Sequence, residues 1–218
     1  MRIRGQFTKE GNVKFVGHLD TMRMFQRAIK MAKIPVAYSE GFNPHSKIYF
    51  AMPLSVGVSS VGEYIEIRTK EDIEPEVVQN KLNAVLPRGV KLKTCFEVQP
   101  TAPTLMSQVD VADYIIKFEQ DYSDKIEQTL CKEEIPISKR NKKKKWVDVD
   151  IKPLIINYEI SDAQLKVKLY AGSKQNLNVD LLLKAIFGED EIICNIERID
   201  LYTNMDNKFI SLSLSDKI

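Results

Sequence analysis

The spacing of apolar side chains changes repeatedly along the first hundred residues, and each change marks an element. Residues 2–8 alternate apolar and polar, the period of a half-buried strand, and Gly11-Asn12 supplies a turn after it. From Leu19 the apolar positions take helical spacing, at Leu19, Met22, Phe25, Ile29 and Ala32, which predicts one buried stripe. Pro35 ends that helix, because its ring excludes helical geometry in the residue before it. Residues 36–39 and 47–52 read as extended segments around a turn at residues 41–45. Residues 63–68 alternate again, with Tyr64 and Glu66 on one face and Ile65 and Ile67 on the other. A second helix starts near Pro75, with Glu71, Asp72, Glu74 and Glu76 gathered at its positive end. Pro87-Arg88-Gly89 stops it before a strand at 90–98. The order is β-α-β-β-α-β, the ferredoxin-like plan.

Residues 99–108, with Pro100 and Pro103 among small polar residues, predict a linker. Beyond it the pattern recurs more loosely. Strands are expected at 114–118, 135–138, 146–149, 154–160, 165–170 and 192–202, and helices at 124–131 and 179–187. The tail at 209–214 alternates as an edge strand would. The expected fold is α+β: two ferredoxin-like domains in tandem, antiparallel sheets with helices packed on one face. The first spans 1–99 and carries a basic helix. The second spans 109–218 and carries a Lys-rich hairpin.

Composition narrows the class. A hydrophobic fraction of 44% with 28% charged residues fits a folded globular chain and excludes a disordered one. No apolar run approaches the roughly 20 residues that cross a bilayer, and no signal-peptide core follows Met1, so a cytoplasmic protein without membrane contact is expected. Cys95, Cys131 and Cys194 are too far apart in sequence for a disulfide framework or for the close triplet that holds an iron–sulfur cluster. Residues 1–50 hold nine Lys and Arg against three Asp and Glu, so the net charge of +2 conceals a basic first quarter.

That quarter contains the candidate chemistry. Arg23, Arg27 and Lys30 are spaced i, i+4, i+7 on the first helix and share one exposed stripe, which suits a phosphate backbone or an acidic partner; a solvated helix face is the alternative. Both histidines fall here, His18 at the helix start and His45 in the Asn43-Pro44-His45-Ser46 turn, with Lys47 beside it. If the two rings meet, they can serve as acid and base, or form a weak divalent site with Asp20 or Glu40; separately, each is explained by local turn bonding. Asn43 and Lys47 extend the candidate anion site. Lys139-Arg140-Asn141-Lys142-Lys143-Lys144-Lys145-Trp146 is a second basic cluster, in which lysines attract phosphate and Trp146 stacks on a base, or in which a hairpin tip is kept from edge pairing. No Ser-His-Asp order, glycine-rich phosphate loop or H-E-x-x-H motif stands out, so catalysis is not indicated.

The blocks Gly17-His18-Leu19-Asp20, Tyr38-Ser39-Glu40-Gly41-Phe42-Asn43-Pro44-His45 and Ala51-Met52-Pro53-Leu54, with Val147-Asp148-Val149 later, resemble the bacterial radical-SAM-linked protein family, a domain of unknown function. The resemblance runs to about Arg198. It implies a companion of a radical S-adenosylmethionine protein, which agrees with the missing cluster cysteines and with no cofactor or metal of its own. Tandem ferredoxin-like domains also resemble the RNA-processing proteins of CRISPR systems, although those usually carry a glycine-rich loop near the C-terminus and only Gly172 and Gly188 follow residue 100 here. Three readings result. The first is a non-catalytic accessory module that grips RNA or another anionic partner beside a radical SAM enzyme. The second is a metal-independent ribonuclease using His18 and His45. The third is a plain interaction scaffold.

Overall fold

The computed structural model describes residues 1–140 and 146–215. Strand β1 (Arg2–Lys9) sits in the middle of the N-terminal half, between β3 (Ser59–Arg68) and β4 (Val90–Val98), antiparallel to both. Its alternation sends Ile3 and Phe7 into one apolar core and leaves Arg2, Arg4 and Gln6 for the other face. Helix α1 (His18–Met31) lies on the apolar face, where Phe25 meets Phe7 and Phe50 edge to face at 4.9 and 5.5 Å. Of the expected stripe Phe25 and Ile29 are buried, joined by Thr21 and Ala28, whereas Leu19 is exposed and Met22 and Ala32 are half-buried. The polar Thr21 goes inward because its hydroxyl bonds the Gly17 carbonyl at 3.0 Å. The helix ends as expected before Pro35, with Lys33 in the left-handed region at φ 53°.

Strand β2 (Ile48–Phe50) pairs with the C-terminal part of β3, and α2 (Pro75–Asn83) adds Val78 and Leu82 to the same core. The N-terminal order is therefore β4-β1-β3-β2. Beyond the linker come β5 (Val111–Phe118), α3 (Ser123–Leu130), the hairpin β6 (Pro136–Arg140) and β7 (Trp146–Asp150), β8 (Ile155–Ser161), β9 (Gln164–Tyr170), α4 (Val179–Phe187) and β10 (Cys194–Met205). These strands run in the order β10-β5-β9-β8, with the hairpin as a separate two-stranded sheet. The architecture is mixed α+β with a mostly antiparallel sheet and few helices. The tail differs from expectation: β11 (Lys208–Ser211) pairs with β10, and the chain then turns into the short helix α5 (Leu212–Ser215).

The two halves share one sheet, because β10 pairs parallel to β3 at Ser59 and Ser60 on the edge that β2 leaves open. Side chains reinforce this junction. Ser60 Oγ donates to the Arg198 carbonyl at 3.0 Å, and the Arg198 guanidinium is fully buried against Glu63, with contacts at 2.7 and 2.6 Å. Gly62 makes the approach possible: a Cβ there would stand 2.2 Å from the Ile199 carbonyl oxygen. Gly62→Ala is expected to destabilise the protein by about 1–3 kcal/mol, the range for overpacking a close contact, read as a lower midpoint in urea.

The linker is equally fixed. Tyr64 and Glu66, on the polar face of β3, are both buried, so the strand's clean alternation does not mark a solvent face. Arg2 donates to the carbonyls of Gln99, Pro100, Ala102 and Pro103 at 2.7–3.1 Å, and Arg4 reaches Pro103 and the Gln108 side chain. Both guanidinia also grip Glu66, Arg2 bidentately at 3.0 and 2.9 Å and Arg4 at 3.0 Å. The segment thus lies over the sheet as a strap and delivers Leu105 into the second core.

Candidate anion-binding site

The exposed side of α1 presents Arg23, Arg27 and Lys30 as the spacing predicts. After the helix the chain returns as an extended segment, where Val36 bridges to Thr69 and Tyr38 to Ser46. The loop between Ser39 and His45 is closed on itself. The His45 amide donates to Ser39 Oγ at 3.0 Å, the ring Nδ1 lies 3.0 Å from the same oxygen, and the Ser39 amide donates to the His45 carbonyl at 2.9 Å. Gly41 takes a φ of 115°, a conformation that side-chain-bearing residues rarely adopt, and so lets the loop reverse.

Helix and loop together enclose an open hollow of about 440 Å³, lined by Arg23, Arg27, Lys30, Tyr38, His45 and Gln26 among others. No carboxylate among the described residues lines it. Arg23 is partly occupied by Asp20, at 2.8 Å with both side chains exposed, an ion pair of small energetic weight. Arg27 and Lys30 have no carboxylate or carbonyl partner among the described residues. Asn43 stands exposed at the loop tip and Lys47 is half-exposed, its backbone bonded to Ala37 and Arg68; neither lines the hollow.

His18 is elsewhere. Its ring packs edge-on to Phe50 at 5.6 Å and lines a second hollow of about 480 Å³ with Met22, Tyr49, Arg68, Leu105 and Met106. The two imidazoles therefore do not share a pocket. Among the described residues no group of three His, Cys, Asp or Glu side chains is placed to hold a metal ion, so the site with Asp20 or Glu40 has no geometry behind it. The basic cluster divides as well. Trp146 is largely exposed at the start of β7, opposite Arg140 in the hairpin register, whereas Lys142, Lys143, Lys144 and Lys145 lie outside the described residues. The thiols stay apart and unbridged. Burial pushes the Cys95 thiol up to about 12 and raises that of Cys194, so neither suits a nucleophile.

Sequence reasoning missed two features of this region. Tyr38 becomes a wall of the basic hollow only because the loop folds back, which no periodicity signals. The buried ions Arg2, Arg4 and Glu66 did leave a trace, since opposite charges stand on the polar faces of β1 and β3.

The fold and site define an α+β domain with a solvent-open basic hollow on its first helix. The chain belongs to the family described as "Uncharacterized protein conserved in bacteria (DUF2344)", whose model matches residues 2–180 and ends within α4. That description names no activity and no partner. No curated protein matches the chain. Among solved structures, one chain titled "Crystal Structure of a Cbf5-Nop10-Gar1 Complex" is similar at 11% identity over 91% of this chain and 48% of its own, with a TM-score of 0.48. This chain thus spans about half the length of that one. Another, titled "Crystal Structure of an Unknown Protein from Galdieria sulphuraria", is similar at 11% identity over 90% and 97%, with a TM-score of 0.28. Likeness at this level assigns no function. No helix among the described residues is long and apolar enough to cross a membrane.

Proposed function

We propose that this chain is a non-catalytic binding module whose first helix and following loop grip the phosphates of RNA. The observation that carries the reading is the convergence of Arg23, Arg27, Lys30 and His45 with Tyr38 on one hollow that no carboxylate among the described residues lines. Arg27 and Lys30, which have no acidic partner among the described residues, attract a polyanion. Its working partner is a radical SAM protein, an assignment that rests on the sequence blocks at 17–20, 38–45 and 51–54 alone. The same reading takes the chain as two ferredoxin-like units, 1–99 and 109–218. The orders β4-β1-β3-β2 and β10-β5-β9-β8 support it, since each is the same 4-1-3-2 plan, the second with the β6–β7 hairpin inserted.

The ribonuclease alternative has less support. Acid and base must reach their protons directly or through one water, and His18 and His45 line separate hollows. The bonds between Ser39 and His45 favour a turn-shaping role for that histidine.

Anisotropy titration of a labelled single-stranded RNA at several salt concentrations tests the proposal. Arg27→Glu/Lys30→Glu is expected to weaken binding at least tenfold and to flatten the slope of log K against log salt by about 1.4, two phosphate contacts at about 0.7 each. Arg23→Ala should cost less, because Asp20 already shares that charge. Unchanged affinity and slope in the double variant would remove the proposal. Co-purification with the radical SAM protein, lost on the same substitutions, tests the partner.

A further inference from the structure

The hollow that holds His18 is mostly apolar, with Glu66 and Arg68 as its charged residues, and it draws on the same helix and the same returning chain as the basic one. Helix α1 gives Met22 to the first and Arg23 and Gln26 to the second, and the chain after the loop gives Ile48 to the first and Ser46 to the second. Along the helix, Met22 lies about 7.5 Å from Arg27 and about 12 Å from Lys30, at 1.5 Å per residue. A strand of nucleic acid held on those cations has that span of the helix to cover to reach the apolar hollow.

Its walls suit a flat ring. Phe50 and the His18 imidazole, perpendicular to each other at 5.6 Å, form one corner, and Met22 and Met106 supply polarisable sulfur that packs well against π-faces. Tyr49 stands at the rim with the Arg68 guanidinium 5.2 Å from its ring centre. The hollow's polar lining is His18, Arg68, Thr104 and Glu66, and the Glu66 carboxylate is already bonded by Arg2, Arg4 and Arg68. Arg68 gives only its Nε to Glu66, at 3.3 Å, and its terminal amino groups make no hydrogen bond among the described residues. The His18 ring nitrogens are likewise without a hydrogen bond among them. A volume of about 480 Å³ lies within the range of small-ligand pockets. An aliphatic occupant would fill the walls but leave Arg68 and His18 unanswered. A nucleobase answers both, presenting a face to Phe50 and the methionines, an edge to His18 and its phosphate to Arg68.

We infer that this second hollow receives a single unpaired base of the RNA whose phosphates lie on Arg27 and Lys30. The inference rests on the RNA-binding reading above and deepens it from charge recognition to recognition of single strands.

The test compares a short single-stranded RNA with an oligomer of the same length and phosphate count made wholly of abasic nucleotides, both titrated by anisotropy. The base-bearing RNA should bind about five- to 150-fold tighter, the range of one base–aromatic stack. Tyr49→Ala/Met106→Ala, both positions exposed, should close that gap and leave the salt slope unchanged; His18→Ala serves the same purpose if the double variant does not fold. Arg27→Glu/Lys30→Glu should do the reverse, keeping the gap and losing the slope. Equal binding of the two oligomers by the wild type, or a gap that survives the wall variants, overturns the inference and leaves the phosphate reading standing. If neither oligomer binds, the phosphate reading fails and this one with it.

Discussion

Glu63→Gln is expected to lower the stability of the protein by about 3–5 kcal/mol, the cost of stripping a buried ion of its partner. Arg198 is 1% exposed, and its guanidinium donates twice to Glu63 and once to the Pro53 carbonyl at 3.3 Å. Burial works against its charge, but the Glu63 carboxylate and the neighbouring Tyr114 outweigh that, and the net effect raises its pKa. A guanidinium is basic enough to stay charged even without Glu63. Urea denaturation measures the loss. Glu63→Leu/Arg198→Met should regain most of it, because two apolar chains of similar size need no desolvation. If the single substitution costs no more than an exposed one, about 0.5 kcal/mol, the β3–β10 junction does not depend on this pair.

Glu66→Gln should be comparably damaging, and it should alter the response to acid. Burial alone would raise the Glu66 pKa, but the hydrogen bonds and charges of Arg2 and Arg4 prevail and hold its carboxyl below the usual range. A carboxyl depressed in the folded state stabilises the protein fully above its unfolded value of about 4.3, and that contribution is lost as pH falls through the lower folded value. The wild type should therefore lose stability below about pH 4, and the variant should lose less over that interval, having no proton to take up there. At neutral pH the variant should be weaker by about 3–5 kcal/mol, since two guanidinia lose their counter-ion. Amide exchange should quicken across residues 99–108, which Arg2 and Arg4 hold down. A variant with wild-type stability and unchanged exchange in that strap would show that backbone carbonyls suffice to hold the arginines.

Much of this fold was legible in the chain. The strands around residues 2–9 and 59–68, the helix that Pro35 ends and the helix that Pro75 opens all follow from periodicity and from the geometry of proline. Helix α1 shows where such reading stops. Leu19 looked like core and is exposed, whereas Thr21, outside the expected stripe, is buried, because Phe25 seats against Phe7 and Phe50 and so turns the stripe toward Thr21 and Ala28. The arginine stripe was correctly exposed, since i, i+4, i+7 spacing holds whichever face packs. The two histidines share a stretch of sequence but not a pocket: the helix start and the loop return line different hollows.

By itself the sequence determined most of the helices and strands, the turn of the tail into α5 excepted, and which side of the first helix carries charge. These follow from local rules, the period of apolar residues and the restrictions of proline and glycine. Only the tertiary structure decided that the two halves share a sheet, that the linker is strapped down, and which residues face each hollow. Those outcomes depend on contacts between residues as far apart as Glu63 and Arg198, whose pairing no local period encodes.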